Sequence, residues 1–296
     1  MNSSTSLEEE FVYIDGQFVP RKDAKISVWD HGLLYGDGVY EAIRIYEGNI
    51  FKLKEHVNRL YYSAKAIKID IPITKEELLE AVVELVKKNK LQNGYLRIVV
   101  TRGVGPMGAD PRNCKKPTII IMSETRKALF EGRPIVAIVS SVRRIPSECL
   151  DPRIKSLNYL NNVLAKIQAI EAGADEAIML NLEGYVSEAV TENVFVVKNN
   201  IVYTPPLTAG ILEGITRNVV IEIIKNLGLQ MKEENLTIYD LYTADEVFLT
   251  GTAAEITPVV KIDGRLIGNG EPGPIYKKVI EEYRKIVKNP KFGVKA

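Results

Sequence analysis

Arg153-Ile154-Lys155-Ser156-Leu157-Asn158-Tyr159-Leu160 sets one lysine between a proline-containing loop, Asp151-Pro152, and a helical pattern running from about Asn158 to Ala172. Ile154 and Leu157 flank the lysine, which points to a partly apolar setting. There the charged form is disfavoured, so the amine falls from its reference pKa of about 10.4 and becomes a better nucleophile. Amines of that kind form Schiff bases with carbonyl compounds. Alone the signal is weak: with 39 basic residues in the chain, a solvated surface lysine is the default reading.

Three later segments change that reading. Gly184-Tyr185-Val186-Ser187-Glu188-Ala189-Val190-Thr191-Glu192-Asn193-Val194-Phe195 carries two acids between strand-like runs. Gly214-Ile215-Thr216-Arg217 opens a helix, and Thr250-Gly251-Thr252-Ala253-Ala254-Glu255 follows a strand. In this order, and over about Tyr13 to Tyr276, the set resembles the fold-type IV enzymes that depend on pyridoxal phosphate (PLP). These are the branched-chain aminotransferases, the D-amino-acid aminotransferases and the aminodeoxychorismate lyases.

The bulk numbers agree with an ordinary globular enzyme. The chain has 296 residues, 46% hydrophobic and 26% charged, enough for a sizeable core and two domains. A formal net charge of +1 gives no reason to expect nucleic acid or a membrane surface as partner. No apolar run approaches the roughly 20 residues of a spanning helix. Residues 1–10 are polar, end in three glutamates and differ from a signal peptide, so a disordered lead into a cytoplasmic protein is expected. Cys114 and Cys149 are too few for a disulfide framework or a thiolate metal site, and His31 and His56 for a multi-histidine one. No nucleophile-elbow pattern accompanies either histidine.

Phe11 to Val19 alternates around Asp15-Gly16, a hairpin dipeptide, and Ile26-Ser27-Val28 continues that sheet in this reading. Val39 to Tyr46 reads as a strand after the glycine-rich His31 to Gly38. Leu53 to Ile67 has helical spacing, and Thr74 with Glu77 makes a capping box before a helix ending near Asn89. Asn93-Gly94 turns into the strand Tyr95 to Thr101, and Pro117 to Met122 is a further β-rich run. Composition shifts towards charge over Ser123 to Gly132. The domains are therefore read as 11–122 (small), 123–133 (linker) and 134–296 (large). Strand-rich and helix-rich stretches alternate irregularly, which fits two α+β domains better than one doubly wound sheet.

The resemblance implies roles residue by residue. Lys155 matches the lysine that carries the cofactor and moves the substrate's proton, and Glu188 the acid facing the pyridine nitrogen, with Glu192 in support. Arg59, in Glu55-His56-Val57-Asn58-Arg59-Leu60, matches the phosphate-binding arginine, a role suited to its planar donors. Ile215 and Thr216 match phosphate donors at a helix N-terminus, Thr252 a further phosphate contact, and Tyr159 the partner of the cofactor's ring hydroxyl. Tyr35 and Tyr40 are implied as walls of the substrate pocket, and Ala253 faces the substrate α-carboxylate. Aromatic core packing is the competing reading of both tyrosines.

Tyr95-Leu96-Arg97 bears most on substrate. Period two puts Tyr95 and Arg97 on one strand face, and an arginine there is costly to bury without a carboxylate partner. The alternative is an edge-strand arginine reaching solvent. In branched-chain aminotransferases the matching arginine binds the distal carboxylate of glutamate or 2-oxoglutarate, and the tyrosine helps hold the substrate. The resemblance therefore implies an aminotransferase of leucine, isoleucine and valine with 2-oxoglutarate, a homodimer or a multiple of it, acting on amino and 2-oxo acids without a metal. Several residues depart from that pattern. Tyr35-Gly36-Asp37-Gly38-Val39-Tyr40-Glu41 looks more like the D-amino-acid enzymes, Ala42 replaces a usual glycine, and Ile98 a frequent proline. Arg102 falls where D-amino-acid enzymes bind a carboxylate, and only Phe130 is a candidate for the aromatic of the inter-domain loop. Activity on D-amino acids or (R)-amines, or a lyase reaction, are the alternatives.

Overall fold

The computed structural model describes residues 10–296, so the lead expected at 1–10 lies, Glu10 apart, outside the described residues. In chain order the first elements are β1 (Phe11–Ile14), β2 (Gln17–Pro20), α1 (His31–Tyr35), β3 (Gly38–Tyr46), β4 (Asn49–Phe51), α2 (Leu53–Ala66), α3 (Lys75–Lys88), β5 (Gly94–Thr101) and β6 (Thr118–Glu124). Then come β7 (Ile135–Val139), α4 (Leu160–Glu171), β8 (Glu176–Leu180), β9 (Val186–Ala189), β10 (Asn193–Lys198), β11 (Ile201–Thr204) and α5 (Ile215–Asn226). The last are β12 (Gln230–Glu233), α6 (Ile238–Tyr242), β13 (Glu246–Gly251), β14 (Glu255–Ile262), β15 (Arg265–Leu266), α7 (Pro274–Lys288) and β16 (Gly293–Lys295). Among the described residues no helix is long and apolar enough to cross a membrane.

The chain forms two compact units. One takes the chain through Lys127 with Ile154–Asn158 and Val287–Ala296; the other takes Ala128–Arg153 and Tyr159–Ile286. This corrects the contiguous division read from sequence, which gave all of 134–296 to the second. The reason is backbone pairing that no local pattern announces. Tyr40 N–H donates to the Lys155 carbonyl at 2.9 Å and Leu157 N–H to that of Gly38 at 3.0 Å, while β16 pairs antiparallel with β4.

The first unit is a seven-stranded sheet, order β16-β4-β3-β5-β6-β1-β2, with every neighbouring pair antiparallel. Asp15 and Gly16 both take positive φ (48° and 95°), as a two-residue hairpin turn requires. Alternation sends Val39, Ile43 and Ile45 of β3 and Leu96, Ile98 and Val100 of β5 to one face. There they pack with Leu53, Val57 and Leu60 of α2 and Leu78, Val82 and Leu85 of α3. Thr74 and Glu77 form the expected capping box at the start of α3. Ile26-Ser27-Val28 is not a strand: the Asp30 amide donates to the Ser27 carbonyl and the Trp29 amide to its hydroxyl, which closes a turn.

The second unit holds a nine-stranded mixed sheet whose main path runs β12-β11-β10-β13-β14-β7-β8-β9. Its parallel pairs are β11–β12, β14–β7 and β7–β8. Asn199 and Asn200, at φ 50° and 61°, turn β10 into β11. The core gathers Ile135, Ile178, Leu180, Val194, Leu249 and Ile262, among others.

Candidate active site

The lysine segment is an added edge on β3. Val39 and Ser156 form an antiparallel bridge, and the Lys155 amide donates to Ser63 Oγ of α2 at 3.1 Å. Two glycines make room for it. A Cβ on Gly38 would lie 2.7 Å from Leu157 Cδ1, and one on Gly36 3.1 Å from Asn158 Oδ1. Gly36 also ends α1 at φ 67°, a left-handed position that favours glycine. Lys155 itself is half-buried, with Nζ 4.5 Å from the centroid of the Tyr40 ring.

Arg97 approaches the same ring, its Cζ 4.9 Å from the centroid, and its Nη2 lies 3.4 Å from the Tyr95 hydroxyl. β5 runs between β3 and β6, so Arg97 is not on an edge strand, yet it is the exposed residue of an otherwise buried strand. Tyr95 and Arg97 line a cavity of about 580 Å³ with Phe11, Val12, Ile120 and Met122. Lys155, Tyr40 and Tyr35 are outside that lining. Tyr35 instead stacks edge-on against His31, and its hydroxyl accepts from the Gly108 amide at 2.6 Å.

Arg59 and Arg102 both have acidic partners. Arg59 grips Glu41 with Nε to Oε1 at 2.6 Å and Nη2 to Oε2 at 2.8 Å. Arg102 holds Asp37 through Nε and Nη2 at 2.8 and 3.0 Å. It also donates to the carbonyls of Lys68 and Ile67, just beyond α2. Arg102 is therefore a clamp between Asp37 and the end of α2, a setting unlike that of a substrate-carboxylate ligand.

In the second unit Glu188 is buried at the end of β9 and accepts three hydrogen bonds. Arg144 Nε donates to Oε1 at 2.9 Å, while the Leu212 amide at 2.9 Å and Asn193 Nδ2 at 3.3 Å donate to Oε2. Arg144 in turn reaches Asn162 Oδ1 at 3.2 Å. Glu192 accepts from Thr191, through Oγ1 at 2.6 Å and through the amide at 3.1 Å. Burial and the neighbouring Glu176 carboxylate push Glu192 up to about 7. Burial raises Glu176 as well, against the pull of Lys166, whose Nζ stands 2.9 Å from Glu176 Oε2. The link from Glu192 to Glu188 is through backbone: the Ala189 amide donates to the Glu192 carbonyl at 2.7 Å.

α5 starts at Ile215, with Gly214 as N-cap and no side-chain cap, so the amides of Ile215 and Thr216 stand at an uncapped helix N-terminus. A Cβ on Gly214 would meet Asn193 Oδ1 at 2.0 Å, which fixes the approach of that turn to β10. Thr252 and Ala253 lie half-buried in the turn between β13 and β14, and the Ala253 carbonyl accepts from Leu129 N–H at 2.8 Å. Tyr159 is the N-cap residue of α4. Phe130 is 6% exposed within the second unit's core, which removes it as the aromatic of a substrate loop.

The model of the family described as amino-transferase class IV matches residues 38–262. The chain belongs to the class IV aminotransferases. A protein of Methanocaldococcus jannaschii provisionally named branched-chain-amino-acid aminotransferase is 55% identical over 284 residues, covering 96% of this chain and 98% of that one. The D-alanine aminotransferase of Staphylococcus haemolyticus is 39% identical over 282 residues, covering 94% and 98%. Among solved structures, the branched-chain aminotransferase of Thermoproteus uzoniensis with norvaline superposes with TM-score 0.90 at 41% identity, covering 94% of each chain.

Within this class IV aminotransferase, sequence reading missed Arg144, Asn193 and Leu212 around Glu188, and Glu41 beside Arg59. Arg144 and Leu212 come from segments apart from the Glu188 motif and carry no local signal, while Asn193 lies within that motif. Glu41 did carry one. It stands in the stripe Val39, Glu41, Ile43, Ile45, where period two puts a lone carboxylate on the helix-covered face.

Proposed function

We propose that this chain is a branched-chain amino-acid aminotransferase, moving the amino group of leucine, isoleucine or valine to 2-oxoglutarate with PLP as cofactor. The donor set suits that group. A carboxylate offers about four acceptor sites, and Glu188 uses three on protein donors, leaving one for a pyridinium proton. The uncapped start of α5 suits a phosphate, and Lys155 supplies the amine.

When bound, PLP supplies an aldehyde that takes up the amino group and a ring that accepts the electrons released at Cα. Lys155 would hold the cofactor through its amine and, once released, would move the proton taken from substrate Cα. Glu188 keeps the proton on the pyridine nitrogen, and Arg144, Asn193 and Leu212 hold that carboxylate in place. Ile215 and Thr216 with their amides, Thr252 with its hydroxyl and Arg59 bind the phosphate, and Tyr159 donates to the ring hydroxyl. Glu192 fixes the turn behind Glu188 through its carbonyl. Tyr40, Tyr35 and Tyr95 shape the substrate site, Arg97 takes a distal carboxylate, and Ala253 faces the α-carboxylate.

The observation that carries this reading is the Tyr40 ring, approached by both the Lys155 amine and the Arg97 guanidinium. Lys155 Nζ and Arg97 Cζ lie 4.5 and 4.9 Å from the centroid of that one ring, which supports a cation for the distal carboxylate of glutamate in the neighbourhood of the reacting amine. The clamped state of Arg102 speaks against the D-amino-acid reading. A homodimer in the cytoplasm fits the exposed apolar side chains Val28, Leu33 and Met107 and the two free cysteines.

The test is a single-turnover panel that follows the bound cofactor's absorbance with L-leucine, L-glutamate, D-alanine and an (R)-amine. L-leucine and L-glutamate are expected to react fastest. A faster reaction with D-alanine would overturn the substrate assignment, and pyruvate release from aminodeoxychorismate would replace it with the lyase.

A further inference from the structure

α2 presents three polar side chains at i, i+3 and i+7: His56, Arg59 and Ser63, which fall along one helix face. Ser63 holds the Lys155 amide. The other two converge on Glu41, whose side chain is completely shielded from solvent. His56 Nδ1 stands 2.6 Å from Glu41 Oε2, and Arg59 grips both carboxylate oxygens. Burial alone would raise the Glu41 carboxyl, yet Arg59 and His56 hold it down at about 2. Burial lowers His56, against the pull of Glu41, so the imidazole is neutral and its Nδ1–H donates to the carboxylate.

A buried carboxylate in an apolar stripe is costly, and two side chains of α2, His56 and Arg59, hydrogen-bond to this one. We propose that Glu41 is a positioning residue for the cofactor phosphate, fixing the plane and direction of the Arg59 guanidinium while His56 fixes Glu41. The inference rests on the assignment of Arg59 to the phosphate. Two of the three guanidinium nitrogens point at Glu41, so the group has one orientation to offer a ligand. A guanidinium so held loses less freedom on binding an anion than one on a mobile side chain.

The experiment compares wild type, Glu41→Gln, Glu41→Asp, Arg59→Ala and the Glu41→Gln/Arg59→Ala double variant, each purified as holoenzyme. Cofactor is exchanged out, and the affinities for PLP and for phosphate-free pyridoxal are measured together with the melting temperature. Glu41→Gln is expected to weaken PLP by about 10- to 100-fold, the size of a lost charge-assisted contact, and pyridoxal hardly at all. Glu41→Asp, which keeps the charge but draws it back, is expected to show the same selective loss to a smaller degree. It also serves if the Gln variant does not fold. The double variant should bind PLP no worse than Arg59→Ala, because Glu41 acts only through Arg59. Equal weakening of PLP and pyridoxal by the Glu41 variants, or none of either, with Arg59→Ala still selective, would overturn the role of Glu41. If Arg59→Ala itself shows no selective loss, the phosphate assignment fails first and the inference falls with it.

Discussion

Tyr40 and Lys155 are joined twice, by main chain and by side chain. The Tyr40 amide donates to the Lys155 carbonyl at 2.9 Å, and the Lys155 amine lies 4.5 Å from the centre of the Tyr40 ring. The first contact sets where the lysine leaves the backbone; the second sets where its amine ends. A cation over an aromatic face is worth about 0.5–2 kcal/mol. Tyr40→Leu keeps the backbone bond and loses the ring, so single turnover with L-leucine should slow by roughly 2- to 30-fold. Tyr40→Phe, which keeps the ring face, should lose less. Equal losses in both variants would mean that the hydroxyl, and not the face, is what Lys155 uses.

Glu188→Gln should leave the fold and the bound cofactor in place while slowing the half-reaction. A neutral amide cannot hold the pyridinium proton, and its NH2 group would turn a donor towards Arg144 or towards the Leu212 amide. The loss of one charge-assisted bond costs about 1.5–3 kcal/mol, or roughly ten- to a hundredfold in rate. Stopped-flow absorbance decides: wild-type rates would remove Glu188 from the pyridine nitrogen.

Glu192 gives a pH-dependent effect on stability. Its folded value, about 7, lies above the ordinary 4.5, so between the two the folded protein keeps a proton that the unfolded chain has released. Stability from this site is therefore greatest in acid, falls as pH rises from about 4.5 to about 7, and stays low above. Glu192→Gln has no charge to bury at any pH. Its melting temperature should exceed that of wild type by several degrees at pH 8, at roughly 2–4 °C per kcal/mol, and come to match it only as pH falls below about 4.5. A gain that does not change with pH would show that Glu192 is not the group that titrates.

What was legible in the sequence was mostly local. The capping box at Thr74, the turn at Asp15-Gly16 and the helix opening at Gly214 follow from propensities within a few residues. The order of the four motifs sufficed for the family because their spacing is a property of the chain itself. Non-local pairing was not legible. Nothing in Arg153 to Leu160 says that the lysine segment docks on β3, and nothing in the last ten residues says that they return to β4. Charge partners were equally hidden: Arg102 is identified as a clamp only once Asp37 and the end of α2 stand beside it, and Phe130 as core only once a sheet surrounds it.

Arg97 carries the sharpest prediction about substrate. It is the exposed residue of a central strand, beside Tyr95 and over the Tyr40 ring that Lys155 also approaches. One site must take a branched apolar side chain and, in the other half of the cycle, a carboxylate. If Arg97 serves only the second substrate, as proposed, Arg97→Ala should raise the apparent affinity constants for glutamate and 2-oxoglutarate far more than those for leucine and 4-methyl-2-oxopentanoate. Losing a charge-assisted pair costs about 1.5–3 kcal/mol on the acidic substrates alone. Leucine gains slightly if anything, since no unpaired guanidinium then stands near its side chain. Half-reactions measured for each amino acid separately keep binding apart from product release. Equal losses for leucine and glutamate would place Arg97 on the α-carboxylate that both share, and the case for alternating branched and acidic substrates would then have to rest on residues other than this one.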